Sequence, residues 1–157
     1  MADTTPSARL RELGIELPPV PAPVAAYIPS KRAGALVYTS GQLPMRGGKL
    51  MAEGRVGVEV PLELAQDCAR QAALNAVAAA AQAAGGVDRI ASIVRVGVFV
   101  AAPDTFTDHP KVANGASLLL QEIFGAAGSH VRAAVGCPSL PLNAPVEVEL
   151  LVEAADG

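Results

Sequence analysis

At 157 residues the chain suits one domain with a substantial core, and that core must be aliphatic, because 51% of residues are hydrophobic while only 3% are aromatic and Trp is absent. A formal net charge of −3 leaves no electrostatic footprint for nucleic acid. Cys68 and Cys137 stand in unlike contexts without ligand spacing, so they read as small core residues of a reduced, cytoplasmic protein. The first residues carry no apolar signal core, and the longest Ala-rich run, broken by Asn75 and Gln82, is too short to span a bilayer. The expectation is a soluble protein with no membrane partner. A mean hydropathy of +0.36 in so small a chain further implies surface buried between subunits.

In chain order, Thr4 or Thr5 can cap a short helix that has Pro6 in its first turn and is stopped by Gly14. A Pro-rich linker from Leu17 to Pro23 follows. Residues 1–22 therefore read as a short helix and linker, and 23–157 as the main domain. Two strands, Val24 to Ile28 and Ala35 to Thr39, are expected around a turn from Pro29 to Gly34. The second runs into Ser40-Gly41-Gln42-Leu43-Pro44, where Gly41 either lets a backbone approach a ligand or another chain, or simply makes a turn or bulge. Arg46-Gly47-Gly48-Lys49 is a hairpin turn that lacks the spacing of a phosphate loop.

The longest helical pattern covers Leu62 to Ala84, with an alanine stripe at helical spacing and Gly85-Gly86 as its stop. Ile90 to Ala101 is nearly continuous apolar sequence, as in a central strand, and Arg95 and Gly97 are its exceptions. A second helix is expected over about Val112 to Phe124, with Asn114 early in it. The chain then closes with two alternating segments on either side of a Pro-punctuated turn. In the first, Val131, Ala133, Val135 and Cys137 would form the buried face. In the second, Val146, Val148, Leu150 and Val152 would do so. A symmetric fold-back about Ser139 and Leu140 sets Arg132 opposite Glu147. That pair reads either as a solvated cross-strand ion pair or, among small neighbours such as Ala134, as the floor of a ligand site.

Strands and helices in this order give an α+β domain, one sheet with both helices on one face and the other face awaiting cover. His109 and His130 lie at no metal-ligand spacing, so no metal is expected. His109 reads as a loop residue, and His130, beside Arg132, as a structural or site-lining one. No nucleophile elbow, dinucleotide fingerprint or paired-cysteine motif is present.

Several of these pieces together resemble the RidA (YjgF) family. They are Tyr27 after an Ala/Pro-rich lead, Tyr38-Thr39-Ser40-Gly41-Gln42-Leu43-Pro44, and the helix ending in Ala84-Gly85-Gly86. They continue with the strand from Val96 to Val100, Asn114, Arg132, Leu140-Pro141 and Pro145-Val146-Glu147-Val148-Glu149. The resemblance implies a chorismate-mutase-like α+β fold, a single mixed sheet with two helices on one face, and a homotrimer with ligand sites between subunits. It implies that Arg132 binds a substrate carboxylate and that Glu147 positions the attacking water. Gly41 and Ala134 would add backbone contacts, while Tyr27 and Asn114 line the pocket. The chain departs from the family pattern in His130-Val131 before the arginine, Ala134 where a cysteine is common, and Ser117 where an aromatic is common. The implied activity is hydrolysis of 2-imino or 2-enamino acids to 2-keto acids and ammonia, without a cofactor. The alternative is a non-catalytic trimer that binds small carboxylates as a regulator. Ribonuclease labels attached to this family fit poorly with an acidic chain so short of aromatic rings.

Overall fold

The centre of the molecule is a 23-residue helix lying against a strand pair. A computed structural model describes residues 4–21 and 26–156. The elements are α1 (Pro6–Glu12), β1 (Ser30–Ala33), β2 (Leu36–Thr39), β3 (Met45–Arg46), β4 (Lys49–Leu50), α2 (Leu62–Ala84), β5 (Ile90–Ala101), α3 (His109–Phe124), β6 (Val131–Cys137) and β7 (Val146–Ala154). Five strands form one mixed sheet in the order β1-β2-β7-β5-β6, and β3 and β4 form a separate ribbon. Gly47 and Gly48 turn that ribbon at φ 59° and 79°, a conformation other residues adopt at a cost.

In α2, Ala65, Ala69, Ala72, Ala76 and Ala80 are fully buried, and such short side chains let the helix lie close to its neighbours. Gly85 caps it in the left-handed region, its N–H bonding the Ala81 carbonyl at 3.0 Å. At Gly115, α3 comes so near that a Cβ there would overlap the backbone carbonyl of Gln66. The helices cover the face of the sheet to which Val146, Val148, Leu150 and Val152 point, all at most 3% exposed. The expected N-terminal helix, α1, is present and packs against α3. Thr5 Oγ1 accepts from the Ala8 N–H at 3.3 Å, Leu10 is buried, and the backbone N–H and hydroxyl of Ser7 both bond the Asp88 carboxylate.

The closing strands are not a hairpin. β5 lies between them, pairing parallel with β6 and antiparallel with β7. The connection from β5 through α3 to β6 is a helical crossover, which parallel neighbours require. Arg132 therefore aligns with Val96, and Glu147 with Phe99, instead of with each other. The faces of β6 are also reversed. Arg132, Ala134 and Gly136 lie on the helix side, where the His109 ring rests so close to Gly136 that no Cβ would fit. Val131 and Val135, expected inside, are 66% and 47% exposed on the open face. β6 is an edge strand, so alternation in it does not mark burial.

Two further boundaries differ. Of the strand expected over Val24 to Ile28, Val24 and Ala25 lie outside the described residues, and Ala26 to Ile28 is not strand. The pairing strand is Ser30–Ala33, because Gly34 at φ 64° closes a two-residue turn to Leu36. His109 opens α3 rather than lying in a loop, since Pro110 occupies the first turn, where its missing N–H costs nothing.

Candidate functional site

Arg132 leaves the edge strand on the helix side and lies along α3. Its Nη1 donates to Asn114 Oδ1 at 2.9 Å and to Ser117 Oγ at 3.1 Å, and its Nη2 donates to the Pro110 carbonyl at 3.5 Å. All three acceptors are neutral. No carboxylate pairs with Arg132 among the described residues, so its positive charge is held in place but not cancelled. Asn114, Ser117 and Gln121 recur at helical spacing on α3, and with Leu118, Ser129, His130 and Arg132 they line a groove of about 370 Å³.

His130 is held within this groove by two contacts. Its Nδ1 lies 2.6 Å from the Gly128 carbonyl and its Nε2 lies 2.8 Å from Ser117 Oγ. Ser117 carries more of the site than its sequence context indicated. Its place one helical turn after Asn114 was the available signal. Ala134 lies on the same side of β6 as Arg132, aligned with Val98, on a strand whose outer edge has no sheet partner.

Glu147 is elsewhere. It is half-buried on the open face, and burial, with the neighbouring Glu149 charge second, raises its carboxyl above the ordinary carboxylate range. Gly41 lies over Glu147. Paired bonds between Gln42 and Val148, at 2.8 and 2.9 Å, hold the chain so that a Cβ on Gly41 would strike the Glu147 carboxylate. A Cβ there would require the Glu147 side chain to move aside. Arg95 lies on the same open face and pairs with Glu149 at 3.2 Å.

Tyr27 is 63% exposed just before β1, at the sheet edge opposite β6. Ser40 fixes the adjoining segment, its Oγ donating to the Ile28 carbonyl at 2.6 Å. The expected site residues thus fall into three places: Arg132, Asn114 and Ala134 at one edge, Gly41 and Glu147 on the open face, and Tyr27 at the far edge. A single chain does not bring them together.

Of the two thiols, burial pushes Cys68 up to about 11, and burial followed by the Glu147 charge raises Cys137. Neither is poised as a nucleophile. Among the described residues no three His, Cys, Asp or Glu side chains gather as a metal site. No described helix is long and apolar enough to cross a membrane.

The family model described as "YjgF/chorismate mutase-like, putative endoribonuclease" matches residues 7–154. Protein TCP17 of Trypanosoma cruzi is 39% identical over 148 residues, covering 94% of this chain and 92% of that protein. A Dermatophagoides farinae protein named 2-iminobutanoate/2-iminopropanoate deaminase is 30% identical over 138 residues, covering 88% and 93%. The crystal structure of Atu1372 from Agrobacterium tumefaciens, described as of unknown function, superposes with a TM-score of 0.88 at 40% identity, covering 97% of this chain and 94% of that one. Matched over nearly its whole length, the chain belongs to the YjgF/chorismate-mutase-like family, which includes the RidA proteins.

Proposed function

We propose that the protein hydrolyses small 2-imino or 2-enamino acids to 2-keto acids and ammonia, in a homotrimer whose sites lie between subunits. The observation that carries this reading is the Arg132 guanidinium, fixed by Asn114 and Ser117 and paired with no carboxylate. Such a fork suits a substrate carboxylate, which it can bind through two charge-assisted hydrogen bonds. The deaminase name of a relative 30% identical supports the choice of reaction.

In the proposed reaction an enamino acid first tautomerises to the imine. Water, its proton drawn to Glu147, adds to the imine carbon, and the nitrogen is protonated. The tetrahedral adduct then expels ammonia as the carbonyl forms. The net change is addition of water and loss of ammonia, with no oxidation, so the chemistry requires no redox cofactor. Arg132 and Glu147 occupy opposite faces of their own sheet. They would act on one molecule only if the open face of one subunit met the β6 edge of the next. A closed ring provides that contact and also covers Val131, Val135 and Tyr38, each at least 47% exposed. The same ring would set Tyr27 of the partner subunit near the groove.

One observation favours a second reading. No side chain among the described residues hydrogen-bonds the Glu147 carboxylate to fix its direction. A trimer that binds carboxylates without turnover uses Arg132 in the same way. An amino-acid dehydratase that generates the imine, with chemical trapping of what survives, separates the two. Faster imine loss with the protein present supports hydrolysis. An unchanged imine lifetime, with a keto acid still raising the melting temperature, supports the binder.

A further inference from the structure

The groove beside Arg132 contains a hydrogen-bond chain whose direction is fixed by chemistry. The Gly128 carbonyl can only accept, so His130 Nδ1 carries the hydrogen in that 2.6 Å bond. In the neutral ring Nε2 is then bare and takes the hydroxyl hydrogen of Ser117 at 2.8 Å. The Ser117 oxygen meanwhile accepts from Arg132. The hydroxyl hydrogen is thus turned away from any anion on Arg132. With Ser117 only 8% exposed, bulk water offers it little alternative.

Protonation of the ring reverses the chain. Nε2–H now donates to Ser117, whose oxygen accepts from two cations and whose hydrogen must find another acceptor. A carboxylate seated on Arg132 supplies one. The ring bonds Ser117 of α3 and the Gly128 carbonyl; Asn114 and Gln121 of α3, both neutral, line the same groove, Arg132 of β6 is its fixed charge, and no Asp or Glu lines it among the described residues. Repulsion between imidazolium and guanidinium is relieved when an anion arrives, which couples the two events in the same direction.

We propose that Ser117 and His130 are positioning residues that couple carboxylate binding at Arg132 to uptake of one proton by the His130 ring. The proposal rests on Arg132 being a carboxylate anchor and adds to it a proton-controlled hydroxyl donor. Ligand binding stabilises the charged ring, so by linkage affinity rises as pH falls.

The test is calorimetric titration of 2-oxobutanoate into the full-length assembled protein between about pH 8 and about pH 6, in buffers of differing ionisation enthalpy. Affinity should rise about tenfold across that range, one charge-assisted hydrogen bond, with net proton uptake. His130→Gln should bind with a flat profile. Ser117→Ala should keep only the shallower slope that charge alone supplies, although His130 remains, an outcome a merely structural histidine would not produce. Equal slopes in all three proteins, or the full wild-type slope retained in Ser117→Ala, overturn the coupling but leave the Arg132 anchor standing. Absence of binding at every pH in the wild type overturns both. A second readout needs neither ligand nor variant. Histidine nitrogen–proton NMR spectra at the alkaline end of the range should show neutral His130 with its hydrogen on Nδ1, and a neutral ring with its hydrogen on Nε2 alone would overturn the proposed chain.

Discussion

Arg132 and Glu147 stand on opposite faces of one sheet, Arg132 aligned with Val96 on the helix side and Glu147 aligned with Phe99 on the open side. A site using both therefore depends on assembly. Light scattering should give a mass near three times 15.9 kDa in the micromolar range. Val135→Glu places a charge on the exposed apolar face and should yield monomers that no longer bind 2-oxobutanoate, although Arg132 is untouched. A monomer that binds as tightly as wild type would place the whole site within one chain.

Gly41 and Glu147 form a steric pair, so a double-mutant cycle should expose their coupling. Gly41→Ala should cost no more than about 1 kcal/mol, because the Glu147 carboxylate that the new Cβ strikes ends a flexible side chain and can turn aside. Adding Glu147→Ala should return most of that loss. Denaturant unfolding measures both, and additive effects would show that the two residues do not touch.

Helical and central elements were legible in the sequence, and neighbour relations were not. The alanine stripe with Gly85-Gly86 marked α2, and continuous apolar sequence marked β5, at the limits observed. Alternation in β7 correctly gave its buried face. The same alternation misled in β6, because periodicity states which residues share a face and not which strand lies beside them. Nothing in the residues from 131 to 152 discloses that β5 inserts between the two segments. As candidates, Arg132, Glu147 and Gly41 stood out from strand pattern and a strand-end glycine, and Asn114 only from the resemblance to a family. The hydrogen bonds that join Ser117 to His130 and Arg132 required the structure.

Adjacent residues on α3 should separate binding from stability. Asn114→Ala removes the acceptor that steers Arg132 from an exposed position, so affinity for 2-oxobutanoate should fall about threefold to tenfold with little change in melting temperature. Gly115→Ala drives a Cβ into the Gln66 backbone and should cost at least about 1–3 kcal/mol, lowering the melting temperature by several degrees. The reverse pattern would mean that Asn114 is structural.

Burial, then the Glu149 charge, raises the Glu147 carboxyl above its unfolded value. The unfolded chain thus releases this proton first, and the stability associated with the group is lost as pH rises through its folded value. Glu147→Gln should be the more stable protein near neutral pH, by less than about 1 kcal/mol after allowance for solvent screening. The difference should vanish in acid, below the unfolded value, where both states carry the proton. A variant less stable than wild type at neutral pH would show that the charge is satisfied.

The central claim is that Arg132 anchors the carboxylate of an imino acid undergoing hydrolysis, and the decay of 2-iminobutanoate tests it most directly. With a dehydratase generating the imine and a trapping reagent reporting what remains, wild-type protein should shorten its lifetime in proportion to protein concentration. Arg132→Ala should lose most of this effect while keeping the trimer mass. An imine lifetime that is the same with wild type, with Arg132→Ala and with no protein would contradict the account.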